Sequence, residues 1–166
     1  DISKSISMMI PTGNSKLDTD LVMIACKNNA AEEAVLHAVQ NDHIMTALEI
    51  VARQETLTLT DDIVNKCVQC LSVDNINLRM ACLRCLVAHN QAHRITIDAL
   101  AANLQSRNMS LKMAAFVAAA KMADEKVRIP NELLDYFVEK SNTLPVAGTA
   151  IVNSCKNVDS AQYIFD

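Results

Sequence analysis

Glycine and proline are almost missing: 166 residues hold two Gly and three Pro. A fold made of many strands and tight turns needs more of both, so an all-β architecture is excluded. Aromatic residues are 3% of the chain and Trp is absent, which leaves little to stack bases or sugars. Lys and Arg never gather into a block, so no tract suited to phosphate binding appears. No apolar run reaches the roughly 18 residues of a membrane span, and no signal peptide opens the chain. A Gly-rich phosphate loop, a G-x-S-x-G elbow and an H-E-x-x-H pair are all lacking. The carboxylate pairs Glu32/Glu33, Asp61/Asp62 and Asp124/Glu125 fall at expected helix ends, where they favour the helix dipole or solvate the surface. The chain is expected not to be an enzyme and to need no cofactor.

What remains is helix-forming material. Apolar residues make up 51%, and 22 positions are Ala. Leu, Met, Lys and Gln add to the helical bias. The expected class is all-α. Net charge is −4, with acids and bases interspersed. Six cysteines outside any small disulfide scaffold point to reduced thiols, and so to the cytoplasm or nucleus.

Internal repetition is the main signal. Shifting the sequence by 33 residues places Leu71 on Leu104 and Phe137. The same shift places Leu78 on Leu111 and Leu144, and Ala81 on Ala114 and Ala147. Each block reads as two helices. The first helices are expected over Asp61–Ser72, Ile97–Ser106 and Pro130–Ser141. The second are expected over Asn75–His89, Met109–Ala123 and Leu144–Cys155. Thr60 and Thr96 are expected caps, and Pro130 and Pro145 suit first turns. A weaker copy lies in "AAEEAVLHAVQNDHIMTALEIVA", which sets Ala38 at the Leu71 position and Met45 at the Leu78 position. Before it, "KLDTDLVMIACKN" reads as one more helix, capped by Asp18 or Thr19. Residues 1–16, with Pro11 and Gly13, are expected to be extended or loosely ordered. Residues 17–166 are expected to form one domain with repeats at about 30–56, 61–93, 94–127 and 128–157. The ending "NVDSAQYIFD" reads as a further helix capped by Asp159 or Ser160, and the chain is expected to be part of a longer protein.

A two-helix unit cannot bury its apolar face alone, whereas stacked units can. The repeat length, the paired helices and the small residue at Ala81/Ala114/Ala147 resemble the HEAT and armadillo superfamily over residues 30–155. That resemblance implies an α-solenoid of stacked antiparallel helix pairs, about 33 residues each. Ala114 and Ala147 are then expected where helices approach closely. The Asn ladder of importin-type armadillo repeats, the ankyrin T-P-L-H signature and the tetratricopeptide Trp, Gly and Tyr positions are not matched.

Cys67, Cys70, Cys82 and Cys85 form a C-x2-C-x11-C-x2-C series, a spacing close to a structural zinc site. The repeat argues otherwise. Cys67 aligns with Leu100 and Leu133, Cys82 with Ala115 and Gly148, and Cys85 with Ala118 and Ile151. Free cysteine serves as a small buried hydrophobe, so no metal is expected there. His89 and His93 are spaced for a shared metal only if one helix carries both, and the helix is expected to stop between them.

The second helices carry a face that should be polar if it met only water. It holds Met80, Arg84 and Val87, then Met113, Val117 and Ala120, then Val146, Ala150 and Asn153. Solenoids of this class commonly line their concave surface with second helices. A Met-rich strip there suits a bound peptide or helix. Cover by a neighbouring segment such as "SISMMIP" is the other reading. Arg79 and Lys112 make a basic edge beside it. The expected function is a protein-interaction module of a scaffold or adaptor, with another protein as partner and no membrane. The alternatives are a nucleic-acid-binding helical repeat, disfavoured by acidic charge and scarce aromatics, and a metal-stabilised regulatory domain.

Overall fold

The computed structural model describes residues 5, 8–10, 12–27, 30–54 and 57–166. Among them the regular structure is helical, without strands. The helices are α1 (Ser15–Lys27), α2 (Ala31–Gln40), α3 (Ile44–Arg53), α4 (Asp61–Cys70), α5 (Ile76–Ala88), α6 (Ile97–Leu104), α7 (Met109–Asp124), α8 (Asn131–Ser141), α9 (Pro145–Ser154) and α10 (Val158–Phe165). A 3-10 turn, Ala92–Arg94, follows α5. No described helix is long and apolar enough to cross a membrane.

The chain divides into two compact units, Asp1–Lys66 and Cys67–Asp166, with the boundary inside α4. In the first unit, α1 packs on α2 and α3, and α2 packs on α3. Ala34, Ala38, Ala47 and Ile50 are fully buried there. The entry to α1 differs from expectation. Asn14 Oδ1 accepts from Leu17 N at 3.1 Å and so caps the helix. Asp18 instead accepts from the Thr12 amide and hydroxyl, at 2.6 and 2.7 Å. Of the opening segment, residues 5, 8 and 9 are helical. Residues 1–4, 6, 7 and 11 lie outside the described residues.

In the second unit, α7 is the central element. It packs against α5 on one side and α9 on the other, and α6 packs on it as well. The composition explains this placement. Ala115, Ala118 and Ala119 of α7 are fully buried, and small side chains let neighbouring helices close in. Phe116 fills the space toward α8, where its ring lies 5.8 Å from Tyr136 and 5.6 Å from Phe137.

Matched roles recur along this unit. Leu71, Leu104 and Phe137 are each at most 1% exposed. Asn103 donates through Nδ2 to the Leu71 carbonyl at 3.2 Å, and Tyr136 donates through its hydroxyl to the Leu104 carbonyl at 3.4 Å. Two donors 33 positions apart thus satisfy two carbonyls 33 positions apart, each at the end of a preceding first helix. Asn75 and Asn108 repeat the same way, accepting from Leu78 N and Leu111 N at 3.0 and 2.9 Å. Thr96 caps α6 through Ala99 N at 3.2 Å.

The third block breaks this register. Leu144 is the N-cap of α9, with Pro145 in the first turn, whereas Leu111 lies inside α7. The helix begins later because its first position needs the fixed φ of Pro145. Ala147 and Ala150 are fully buried as a result, while Ala114 is only half-buried. Close approach therefore holds for Ala147 but not for Ala114. Pro130 sits one position earlier than expected, as the N-cap of α8. Asn157, rather than Asp159 or Ser160, caps α10 by accepting from Ser160 N at 3.1 Å.

Candidate functional site

A groove of about 480 Å³ runs between α5 and α7. Four of the residues singled out in the sequence line it: Arg84 and Val87 from α5, Met113 and Val117 from α7. The helical spacing of Met109, Met113 and Val117 makes one apolar line along α7, one turn per step. Met109 is 58% exposed and Val117 43%, so this line faces solvent rather than core. Leu83, fully packed at 1% exposure, makes part of the floor. Ala88 and Ala114 contribute no bulk, which leaves the groove open between the larger side chains.

The other expected residues are placed elsewhere, with Ala120 and Ala150 buried and Asn153 donating through Nδ2 to the Ala120 carbonyl at 2.8 Å. Met80 and Lys112 are half-buried and do not line the groove. Val146 is the second residue of α9 and half-buried; the later start of that helix takes it out of line with Met113. Arg79 turns its guanidinium to backbone, donating through Nε to the Val73 carbonyl at 2.5 Å and through Nη2 to Ser72 at 3.5 Å. Those carbonyls follow the end of α4, where free acceptors remain. The basic edge expected from Arg79 and Lys112 is thus half committed to local structure. Sequence reasoning missed Met109 because it was read as a helix start, although its i, i+4 spacing to Met113 was the available signal.

Arg84 has a different environment. It is exposed at the groove, and among the described residues no hydrogen bond or ion pair engages it. Ser110 is the one uncharged polar side chain in the lining.

The cysteines form a separate cluster inside the second unit. Cys67, Cys70 and Cys82 are buried and Cys85 is half-buried. The thiol of Cys67 lies close to those of Cys82 and Cys85. Its Cys82 neighbour, and then burial, push Cys67 well above the ordinary thiol value, against a lowering pull from Cys85. The Cys67 neighbour, and then burial, push Cys85 up as well. Among the described residues no group of three or more His, Cys, Asp or Glu is arranged to hold a metal ion.

His89 and His93 do not share a helix. His89 is the C-cap of α5, and His93 lies in the 3-10 turn. The His93 amide donates to Glu125 Oε2 at 2.6 Å, with its ring Nδ1 at 3.2 Å from the same oxygen. This contact ties the turn to the end of α7. The carboxylate pairs are at helix ends, with Glu32/Glu33 and Asp61/Asp62 in first turns and Asp124/Glu125 at the close of α7.

Compared with protein-family models, with curated proteins and with solved structures, the chain finds no match.

Proposed function

We propose that this chain is a non-enzymatic protein-interaction module, a helical-repeat scaffold or adaptor that holds a peptide or helix of another protein in the α5–α7 groove. The observation that carries it is the groove itself: a line of exposed Met109, half-buried Met113 and exposed Val117 beside Val87. Exposed apolar side chains scattered singly are ordinary, but a contiguous apolar groove between two helices fits an inserted side-chain stripe. Methionine suits this work because its unbranched chain adapts to the occupant. A HEAT- or armadillo-like repeat is the architecture that best accounts for the recurring caps and cross-helix donors. The reduced thiols accord with an intracellular, reducing location, cytoplasm or nucleus.

The test is quantitative capture from cell extract with the native chain and with Met113→Glu. A carboxylate desolvated in an apolar contact without a partner is unfavourable, by more than the ~1–3 kcal/mol of an unpaired neutral polar group. Met113→Glu should therefore lose the captured proteins at least about tenfold while helicity and melting stay close to native. Large destabilisation would show Met113 to be core. Undiminished capture by a stable variant would place the binding surface elsewhere.

A further inference from the structure

The second unit separates its helical charges by row. Helices α5, α7 and α9 carry Arg79, Arg84, Lys112 and Lys121 against one acid, Asp124. Helices α6, α8 and α10 carry Asp98, Glu132, Asp135, Glu139 and Asp159 against one base, Lys140. The one acid of the basic row is already neutralised, with Lys156 Nζ at 2.5 Å and Lys121 Nζ at 3.9 Å. In a chain of net charge −4, cationic side chains are thus gathered on the row that holds the groove. We infer that the occupant of the α5–α7 groove is an acidic amphipathic helix of a partner protein, its apolar stripe on Met109, Met113 and Val117 and a flanking carboxylate on Arg84.

This rests on the groove's role as a protein-binding surface and specifies the partner. Three observations converge on it. The apolar line spans about two helical turns, the length over which a helix presents residues i, i+4 and i+7. Arg84 stands beside it unengaged, and its planar guanidinium suits a carboxylate in two-point contact. Arg79, Arg84, Lys112 and Lys121 all sit on the two helices that form the groove, and positive charge there favours approach of a negative partner. Nucleic acid fits less well. The lining has one cation and no aromatic ring, whereas single strands need a cationic track and stacking surfaces.

The experiment is a selection on the full 166-residue chain, using a displayed library of 18-residue helices with a fixed Leu/Met stripe and randomised flanks. Enriched peptides are then measured by fluorescence anisotropy against native chain, Arg84→Gln, Arg84→Glu and Met113→Gln. The expected result is enrichment of Asp and Glu at flanking positions. Arg84→Glu should weaken binding by about tenfold, Arg84→Gln by less, and added salt should weaken the native form more than the glutamine form. Met113→Gln, which leaves charge unchanged, should weaken it too. Enriched peptides with neutral or basic flanks that Met113→Gln still blocks would overturn the acidic partner while leaving the groove reading intact. No enrichment, or enrichment indifferent to Met113→Gln, would overturn both. A 20-nucleotide RNA that binds native chain and Met113→Gln equally but not Arg84→Glu would assign the cations to nucleic acid and overturn the inference.

Discussion

Cysteine carries the clearest lesson at the scale of single residues. Cys67, Cys70 and Cys82 are buried beside one another and Cys85 is half-buried at the same cluster. Its titration has a definite sign. Cys67 and Cys85 are raised above the ordinary 9.0, so the folded state favours their protonated forms. That contribution is fully present below pH 9 and declines as pH rises beyond it, because the unfolded chain ionises first. Urea midpoints should fall from about pH 9 upward, and Cys85→Ala should flatten that alkaline decline. A midpoint independent of pH between 8 and about 10.5 would contradict the assignment. Alanine gives a second contrast. Ala150 is fully buried, so Ala150→Leu should overpack and cost about 1–3 kcal/mol in denaturant. Ala114 lines the groove, so Ala114→Leu should change stability little. Equal costs at the two sites would show that Ala114 is core after all.

Among helices, the caps decide where each begins. Asn75 and Asn108 carry out the same task one block apart, and Asn108→Ala should lower stability by about 1 kcal/mol, read as a shift in the urea midpoint at constant slope. No shift would mean that Leu111 N finds another acceptor. The helices of the second unit were legible in the sequence because 3.6-residue periodicity and Ser, Thr, Asn or Asp junctions agree there. Asp61–Cys70, Ile97–Leu104 and Met109–Asp124 lie within two residues of expectation at each end. Junctions with several capping candidates were not legible. Asn14 and Asn157 won over neighbours of similar propensity, and which side chain reaches the free amide depends on the path of the chain. The same limit explains Val146. A uniform 33-residue shift cannot register a helix that starts later by most of a turn, and Leu144 looks apolar enough to pass for a core residue.

Seen as a whole molecule, the groove emerges from details that no single stretch contains. Arg84 and Val87 come from one helix and Met109, Met113 and Val117 from the next but one, brought together because buried alanines draw α7 close to its neighbours. Four residues of the expected strip, Arg84, Val87, Met113 and Val117, line the groove and were readable as a face opposite the core. Met109 was not, because it stands at a helix start. The segregation of charge between rows appears only once helices are assigned to rows, since along the sequence acids and bases alternate evenly.

The central claim is that the α5–α7 groove receives another protein. Site-specific photo-cross-linking tests it most directly, with a diazirine side chain placed at Met113 and, as comparison, at Val138, which is exposed on α8. The account predicts a small set of discrete protein adducts from position 113, suppressed by excess acidic amphipathic peptide, and only weak unsuppressed labelling from position 138. Identical adduct patterns from the two positions, or adducts from position 138 alone, would contradict it.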